Sequence, residues 1–464
     1  MFYNRRMIAF LLYNSPKPIV KAYLIFISIQ EEIMENLSLS KNNRYLTQCG
    51  KPFFWLGDTA WLLFHKLSEE DAYIYLKNRA DKGYNVIQAV LVYAVPEMDD
   101  VNKMYIPDCD INGEEYWHHC DRIIKMAEEL GLYMGLLPSW GSLVKHGVIT
   151  NKNAGRYADF LAQRYKDFTN IVWILGGDVN ASGFEEIYDI FGNIFKKANP
   201  ERLVTFHPFG RCRSSMWFHN APWLDFNMFQ SGHRRYDQAA LGVWDDVKKT
   251  VSEFFGEDNW KYTYTDHSLE PVKPTLDAEP GYEWIPQGLH DPKETYWKAA
   301  DVRRYAYWSV FAGACGHTYG DNAVMQFYGD FPDDKGSYGP VCGWREALHH
   351  EGSGQMRYLK ELISSVDFTA GVPRDDLLIG GQREKYERVA VFAGMDYILA
   401  YSFTGNSFEL NMSSLGEADA WWFSPVSGVY SYIGRVSVKK FSGNPPKVYG
   451  EDKDIVLVLK KAQT

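Results

Sequence analysis

From Phe53 to about Gly320 the chain repeats one pattern. A short, nearly continuous apolar run is followed by a longer segment with apolar positions three and four residues apart. The short runs predict strands over Phe53–Gly57, Tyr84–Tyr93, Leu132–Leu137, Asn170–Leu175, Leu203–Phe206, Leu224–Phe229, Lys273–Asp277 and Gly313–Thr318. The longer segments predict helices. One starts at Ser68-Glu69-Glu70-Asp71, a capping-box-like sequence, and runs through Lys82 to a stop at Gly83. Others cover Glu114–Leu130, Gly155–Asp167, Phe184–Lys197, Gln238–Phe254 and Glu294–Val310. Strands that are apolar throughout, rather than alternating, belong to a parallel sheet covered by helices. Eight such units predict an α/β fold, a closed (β/α)8 TIM barrel. An open doubly wound sheet is the rival, but no G-x-G-x-x-G follows the first strand and no P-loop is present.

The period changes near residue 370. Ala370-Gly371-Val372-Pro373-Arg374-Asp375-Asp376 reads as a linker. Arg388–Phe392, Tyr397–Phe403, Phe408–Met412, Ala418–Phe423 and Ile455–Leu459 read as short strands between Gly, Asn, Asp and Ser turns, a small antiparallel β-sandwich. The chain thus divides into a barrel over residues 34–370 and a sandwich over 371–464, preceded by an extension over 1–33. The extension has two apolar runs, Met7–Tyr13 and Ile19–Ile29, broken by Asn14-Ser15-Pro16-Lys17-Pro18. A signal peptide has one apolar region and a small-residue cleavage site, and a membrane span needs about 20 mostly apolar residues. Met34 is read as the natural start, which implies a cytoplasmic protein without a membrane partner. A degenerate export signal is the alternative.

The 464 residues carry a net charge of −10, which gives no global field for DNA or RNA. Aromatic residues make up 16% of the chain, an excess that fits large cores or sugar-stacking clefts. Six cysteines without a CxxC pair match neither a disulfide framework nor a zinc knuckle, and are expected to be buried or half-buried free thiols.

In a barrel, chemistry sits at the carboxyl ends of the strands. Those ends carry Asp58 and Trp61, Tyr93, Trp140, Asp178, His207, Gln230 and His233, Glu279 and Tyr282, and His317 and Tyr319. They hold acids, His, Tyr, Trp and Gln without the cationic or glycine-rich loops that a phosphate ligand needs. A carbohydrate substrate fits this set, with no cofactor and no metal. Asp178 and Glu279 stand out, because glycosidic hydrolysis needs two acids flanking one bond, about 5 Å apart in the retaining geometry. Gly176-Gly177 allows close approach of backbone or substrate just before Asp178. The alternatives are that Asp178 caps the following helix and that Glu279 forms a surface ion pair. His207, His233 and His317 could form a three-His metal site, although no H-x-H or H-E-x-x-H pair supports it. Two rivals therefore stand beside a glycoside hydrolase: a non-catalytic carbohydrate- or matrix-binding protein, and a metal-dependent hydrolase.

Three segments carry a family resemblance. Gly50-Lys51-Pro52-Phe53-Phe54-Trp55-Leu56-Gly57-Asp58-Thr59-Ala60-Trp61, Ile174-Leu175-Gly176-Gly177-Asp178-Val179-Asn180 and Asp277-Ala278-Glu279-Pro280-Gly281-Tyr282-Glu283 resemble the apiosidase-like barrel enzymes, glycoside hydrolase family 140 and its wider relatives. The tail, with Trp422-Phe423-Ser424-Pro425-Val426-Ser427-Gly428, is similar to the small domain that follows those barrels, described as collagen-binding. The resemblance implies a retaining mechanism, with Asp178 as acid/base and Glu279 as nucleophile. It implies a plant cell-wall (pectic) substrate and release of apiose. Related clan members often carry Asn-Glu where this chain has Gly177-Asp178.

A chain beginning at Met34 is expected to fold with unchanged thermal midpoint and activity. Aggregation, or a large loss of stability in thermal unfolding, would show that residues 1–33 pack on the barrel.

Overall fold

The computed structural model describes residues 34–93, 113–238, 254–291, 293–329, 334–381, 384–437, 439–447, 450 and 452–462. Residues 34–464 form one compact unit. The expectations for residues 1–33 lie outside the described residues.

Eight parallel strands build the barrel: β1 (Trp55–Thr59), β2 (Val86–Val90), β3 (Tyr133–Leu137), β4 (Ile171–Val179), β5 (Val204–Pro208), β6 (Asn227–Gln230), β7 (Thr275–Asp277) and β8 (Gly316–Tyr319). The ladder runs 5-4-3-2-1-8-7-6, and a short antiparallel strand, Cys212–Arg213, pairs with β6. The barrel closes between β5 and β6, where the Asp225 N–H donates to the Val204 carbonyl at 2.9 Å and the Thr205 hydroxyl to the Phe226 carbonyl at 2.6 Å. Helices follow the strands, among them Glu69–Asp81 after β1, Glu114–Glu129 after β2, Ala154–Arg164 after β3 and Glu185–Ala198 after β4. Ser68 caps the first of these, its hydroxyl accepting from the Asp71 N–H at 3.2 Å.

The register sorts each strand's side chains into two layers. Asp58 is opposite Ile87, Thr59 opposite Gln88, His317 opposite Leu56 and Tyr319 opposite Asp58. Gln88 reaches across the lumen to the Ala278 carbonyl at 3.0 Å, and Trp55 Nε1 donates to Thr318 Oγ1 at 3.2 Å. Residues such as Ile87, Leu136, Trp173 and Phe206 join the helices in an outer apolar layer. Period-2 alternation therefore puts Gln88, Thr59 and Thr318 inside and Asp58, His317 and Tyr319 outside.

Two expectations, one helix and one linker, need correction, and a further predicted helix lies largely outside the described residues. The predicted Glu294–Val310 helix begins only at Ala299, because Thr295–Trp297 is drawn into pairing with Trp284–Gln287: the Trp284 N–H donates to the Trp297 carbonyl at 2.8 Å and the Gln287 N–H to the Thr295 carbonyl at 2.8 Å. The Asp301 carboxylate then accepts from the Lys298 N–H at 3.1 Å and starts the helix. Most of the predicted Gln238–Phe254 helix falls outside the described residues. The helix that does precede β7 is Asn259–His267, whose Thr- and Tyr-rich sequence carries little helix propensity. The predicted linker is part of the sandwich, since Val372–Pro373 pairs with Val389–Ala393.

The sandwich has a six-stranded sheet, in the order Val372–Pro373, Val389–Ala393, Tyr397–Ser402, Ile455–Lys461, Ala418–Phe423, Tyr430–Val436, and a three-stranded sheet of Leu378–Gly380, Phe408–Asn411 and Lys440–Gly443. It is joined to the barrel through fully or almost fully buried arginines. Arg303, on helix Ala299–Phe311, donates to Asp454 at 2.7 and 2.9 Å, to Asp452 at 2.6 Å and to Gln355 at 2.5 Å. Its neighbour Arg304 donates to Glu257 at 3.0 Å, and Tyr386 of the sandwich donates to the same oxygen at 2.8 Å. Tyr307 stacks on Tyr401 with centroids 4.6 Å apart. Cys120, Cys212 and Cys315 are buried, Cys342 is half-buried and Cys49 is exposed. Cys109 lies outside the described residues. Among the described residues no helix is long and apolar enough to cross a membrane.

Removing one partner of a buried ion pair leaves the other charge uncompensated, typically at about 3–5 kcal/mol. Arg303→Ala should therefore destabilise the protein by about 3–5 kcal/mol in equilibrium denaturation, far more than Arg435→Ala, whose ion pair with Asp419 is exposed. Equal effects would show that the Arg303 cluster does not hold barrel and sandwich together.

Candidate active site

The carboxyl ends of β4, β5, β6 and β7 supply a connected group of polar side chains. Strand β4 is pushed out of register between Gly176 and Val179, a β-bulge. Gly176, Gly177 and Asp178 are consecutive residues with positive φ, 90°, 94° and 55°. Glycine is required at the first two. A Cβ on Gly176 would lie 2.3 Å from the His207 carbonyl oxygen, and one on Gly177 would lie 2.7 Å from the Trp140 ring. The bulge turns Asp178 into the solvent-open mouth of the barrel while its neighbours stay buried. It is not a helix cap, because the next helix starts at Glu185 with Phe184 at its N-cap.

Glu279 follows β7 and is buried. His233 Nε2 is 3.1 Å from its Oε1, and His207 Nε2 is 3.3 Å from its Oε2. The Tyr282 N–H donates to His233 Nδ1 at 3.3 Å, so Nε2 carries the proton that His233 donates to Glu279. His207 Nδ1 lies 3.1 Å from the Pro208 carbonyl, an acceptor, and is therefore protonated. Burial raises the pKa of Glu279, but the two imidazoles outweigh it and hold the carboxyl down to about 2. Asp178 moves the other way. The walls of the mouth strip water from it even though its side chain stays open to solvent. This desolvation, followed by the negative charge of Glu279, raises its pKa to about 6, against the pull of His207, a hydrogen bond with Gln230, and His233.

Further contacts align this group. The Gly232 N–H donates to the Glu279 carbonyl at 2.9 Å. Asp277 accepts from the Ser231 hydroxyl at 2.6 Å and from Asn259 Nδ2 at 3.1 Å, which locks the end of β6 to the end of β7. Aromatic rings surround the carboxylates. Trp61 is 5.1 Å from Trp140 and 5.5 Å from His207, Tyr93 is 5.3 Å from Trp140, and Tyr282 is 4.6 Å from His233. Asp178, Glu279, His207, Gln230, His233, Trp61, Tyr93, Trp140 and Tyr282 thus form one neighbourhood.

Three expected substrate contacts are corrected. Asp58, His317 and Tyr319 are fully buried on the outer face of the sheet, away from the mouth. Asp58 accepts from Arg79 Nε at 2.6 Å and from the Tyr75 hydroxyl at 2.7 Å. The Tyr319 hydroxyl donates to Glu283 at 2.5 Å. His317 has no hydrogen bond at either ring nitrogen, and burial lowers its pKa to about 3. The same placement separates His317 from His207 and His233, so the three-His site does not assemble. Asp321, a further acid at the end of β8, caps the turn at Ala323 and Val324 and contacts His350 at 2.6 Å.

Sequence reasoning missed Asp277, which reads as one more residue of a buried strand. It also missed Tyr338, far from any strand end, whose phenol is raised by burial and by the charges of Asp178 and Glu279. The left-handed backbone at Tyr338, φ 59°, leaves no signature in the residue type.

Residues 40–370 match the family model "Apiosidase-like, catalytic domain", and residues 372–460 match "Putative collagen-binding domain of a collagenase". Among curated proteins none matches the chain. A solved structure called "Glycoside hydrolase" is 39% identical, with a TM-score of 0.83, and the match covers 92% of this chain and 97% of that one. A glycoside hydrolase family 5 structure from Bacteroides vulgatus is likewise 39% identical, with a TM-score of 0.83, covering 92% of this chain and 93% of the other. With a catalytic-domain match over most of its length and two acids in one barrel mouth, the chain belongs to the apiosidase-like family and is a glycoside hydrolase.

Proposed function

We propose that the enzyme is a retaining glycosidase acting on plant cell-wall pectic glycans or oligosaccharides, releasing apiose, with Glu279 as nucleophile and Asp178 as acid/base. The observation that carries this reading is the pairing itself. Two carboxylates meet at one mouth, one kept ionised by two imidazoles and the other kept protonatable by its surroundings. That division of labour is what double displacement needs. The family model supports the choice of sugar.

In the first step a Glu279 oxygen attacks the anomeric carbon. The bond to the leaving oxygen breaks as Asp178 gives that oxygen its proton. In the second step the Asp178 carboxylate takes a proton from water. The water oxygen displaces Glu279 from the anomeric carbon and frees the sugar with its original configuration. Trp61, Trp140, Tyr93 and Tyr282 wall the glycone, and His207 and Gln230 face it with polar atoms.

Glu279→Gln keeps the shape and removes the nucleophile. Hydrolysis of an aryl apioside should fall below detection while folding and ligand binding persist. Near-normal turnover would overturn the assignment.

Asp178→Ala should lose about 10²–10⁴-fold on natural linkages and far less on activated aryl glycosides, which leave without a proton. Azide should restore turnover and give a glycosyl azide of retained configuration. Equal impairment on all leaving groups with no azide response would remove Asp178 from the acid role.

For the wild type, the acid form of Asp178 is the active one. kcat/KM on unactivated substrates should therefore fall about tenfold per pH unit above its pKa of about 6. The acidic limb, set by protonation of Glu279, should lie near pH 2. An alkaline limb that persists in Asp178→Ala would assign it to another group.

A further inference from the structure

The loop after β6, which carries His233, is held from the sandwich as well as from the barrel. Three residues after His233, the Tyr236 N–H donates to Glu257 Oε2 at 2.6 Å. The other oxygen of that buried carboxylate, Oε1, accepts from Arg304 at 3.0 Å and from the Tyr386 hydroxyl of the sandwich at 2.8 Å. The Tyr236 and Tyr386 rings meet edge to face, with centroids 5.5 Å apart. The segment that carries Glu257 also presses on the start of the same loop. A Cβ on Gly256 would lie 2.3 Å from the Ser231 carbonyl oxygen. Gly256 and Glu257 therefore grip the loop on both sides of His233.

A second route ends on His233 itself. The Arg304 guanidinium stands 5.9 Å from the Trp297 ring of the barrel, and 5.1 and 5.3 Å from the Tyr386 and Phe403 rings of the sandwich. Trp297 Nε1 donates to the His233 carbonyl at 3.0 Å. Both routes pass through the Arg304–Glu257 pair, and the sandwich closes that pair from outside. A buried ion pair is stable only when its remaining hydrogen-bonding positions are filled, and Tyr386 fills one of them. The turn that delivers Tyr386 begins with Lys385 in left-handed backbone, φ 47°. A residue with a Cβ keeps that conformation only where its surroundings impose it. Lys385 Nζ stands 5.2 Å from the centroid of the Tyr236 ring, so this turn too is fitted to the β6 loop.

We propose that Tyr386 is a positioning residue for the reaction: acting through Glu257, it fixes the β6 loop so that His233 keeps its hydrogen bond to Glu279, which makes the sandwich part of the barrel's catalytic scaffold. The inference rests on Glu279 as nucleophile. The His233 ring is aimed by the Tyr282 N–H on one side and by Glu279 on the other, and both contacts depend on where the loop backbone lies. A loosened loop lengthens the contact between Nε2 and Oε1, now 3.1 Å. Glu279 is then held less well for attack, while the aromatic walls that meet the sugar stay in place. The loss therefore falls on the chemical step rather than on binding.

The test compares Tyr386→Phe with Tyr401→Phe in the full chain. Each removes one sandwich hydroxyl at the contact with the barrel. Tyr401 donates to Asp454 at 3.3 Å, and Asp454 binds Arg303 rather than the β6 loop. On an aryl glycoside that the wild type turns over, Tyr386→Phe should lower kcat about tenfold with KM within about twofold. It should also move the downfield proton resonance of His233 Nε2–H, identified by its loss in His233→Ala. Tyr401→Phe should leave kcat and that resonance at their wild-type values. An unchanged kcat and resonance in Tyr386→Phe, a change confined to KM, or equal changes in the two variants overturns the proposal. A resonance that moves while kcat stays intact overturns the catalytic role of the hold, and Glu279→Gln then shows whether the nucleophile assignment itself is at fault.

Discussion

Everything at the mouth follows from keeping Glu279 charged in a buried place. A carboxylate withdrawn from water would ordinarily take up a proton. Here two imidazoles, 3.1 and 3.3 Å away, more than offset that tendency. They succeed because each is itself held: His233 by the Tyr282 N–H, and His207 by the Pro208 carbonyl. The ionised Glu279 then helps determine the state of Asp178, since its charge adds to desolvation in raising that carboxyl to about 6. One anchoring interaction thus bears on both protonation states, and a disturbance of either histidine would reach both acids.

The outer layer of the barrel supports this arrangement from behind. Asp58 binds Arg79 and Tyr75 between β1 and its helix. Glu283, four residues after Glu279, accepts from Tyr319 and from the Gly352 N–H at 3.1 Å. Burial and the nearby Asp321 charge raise the Glu283 pKa. The Glu283 N–H donates to the Gly320 carbonyl and its own carbonyl accepts from the Asn322 N–H, so the ends of β7 and β8 move as one piece. Asp58, expected at the substrate, is instead a structural acid, as is Glu283.

How far the sequence could be read depends on which physical signal each feature leaves. Apolar runs separated by amphipathic segments leave a strong one, and eight strands were legible from it, as were Asp178 and Glu279 at two strand ends. The choice of layer leaves almost none. In a parallel barrel both faces of a strand are buried, so Asp58, His317 and Tyr319 look the same in sequence as lumen residues and are separated only by the pairing register. The β4 bulge is intermediate. Gly176-Gly177 marks a place where the backbone does something unusual, but not that Asp178 follows in the same left-handed sense. Tyr338 was invisible because its role comes from backbone imposed by Asn322 and Gln326.

That bulge also explains how an aspartate at the end of β4 comes to face the mouth. A regular strand alternates its side chains, and the residue after Gly177 would be directed by the ladder alone. Three consecutive left-handed residues break the alternation between Gly176, still paired with His207, and Val179, paired with Pro208. Asp178 is thereby lifted out of the strand between two fixed points, and its short side chain needs no length of its own to reach the mouth. The local strain is tolerated because the flanking residues are locked in the sheet and the Trp140 ring closes over Gly177. A longer acid on the same backbone would project farther into the mouth, so the bulge and the aspartate are matched to each other.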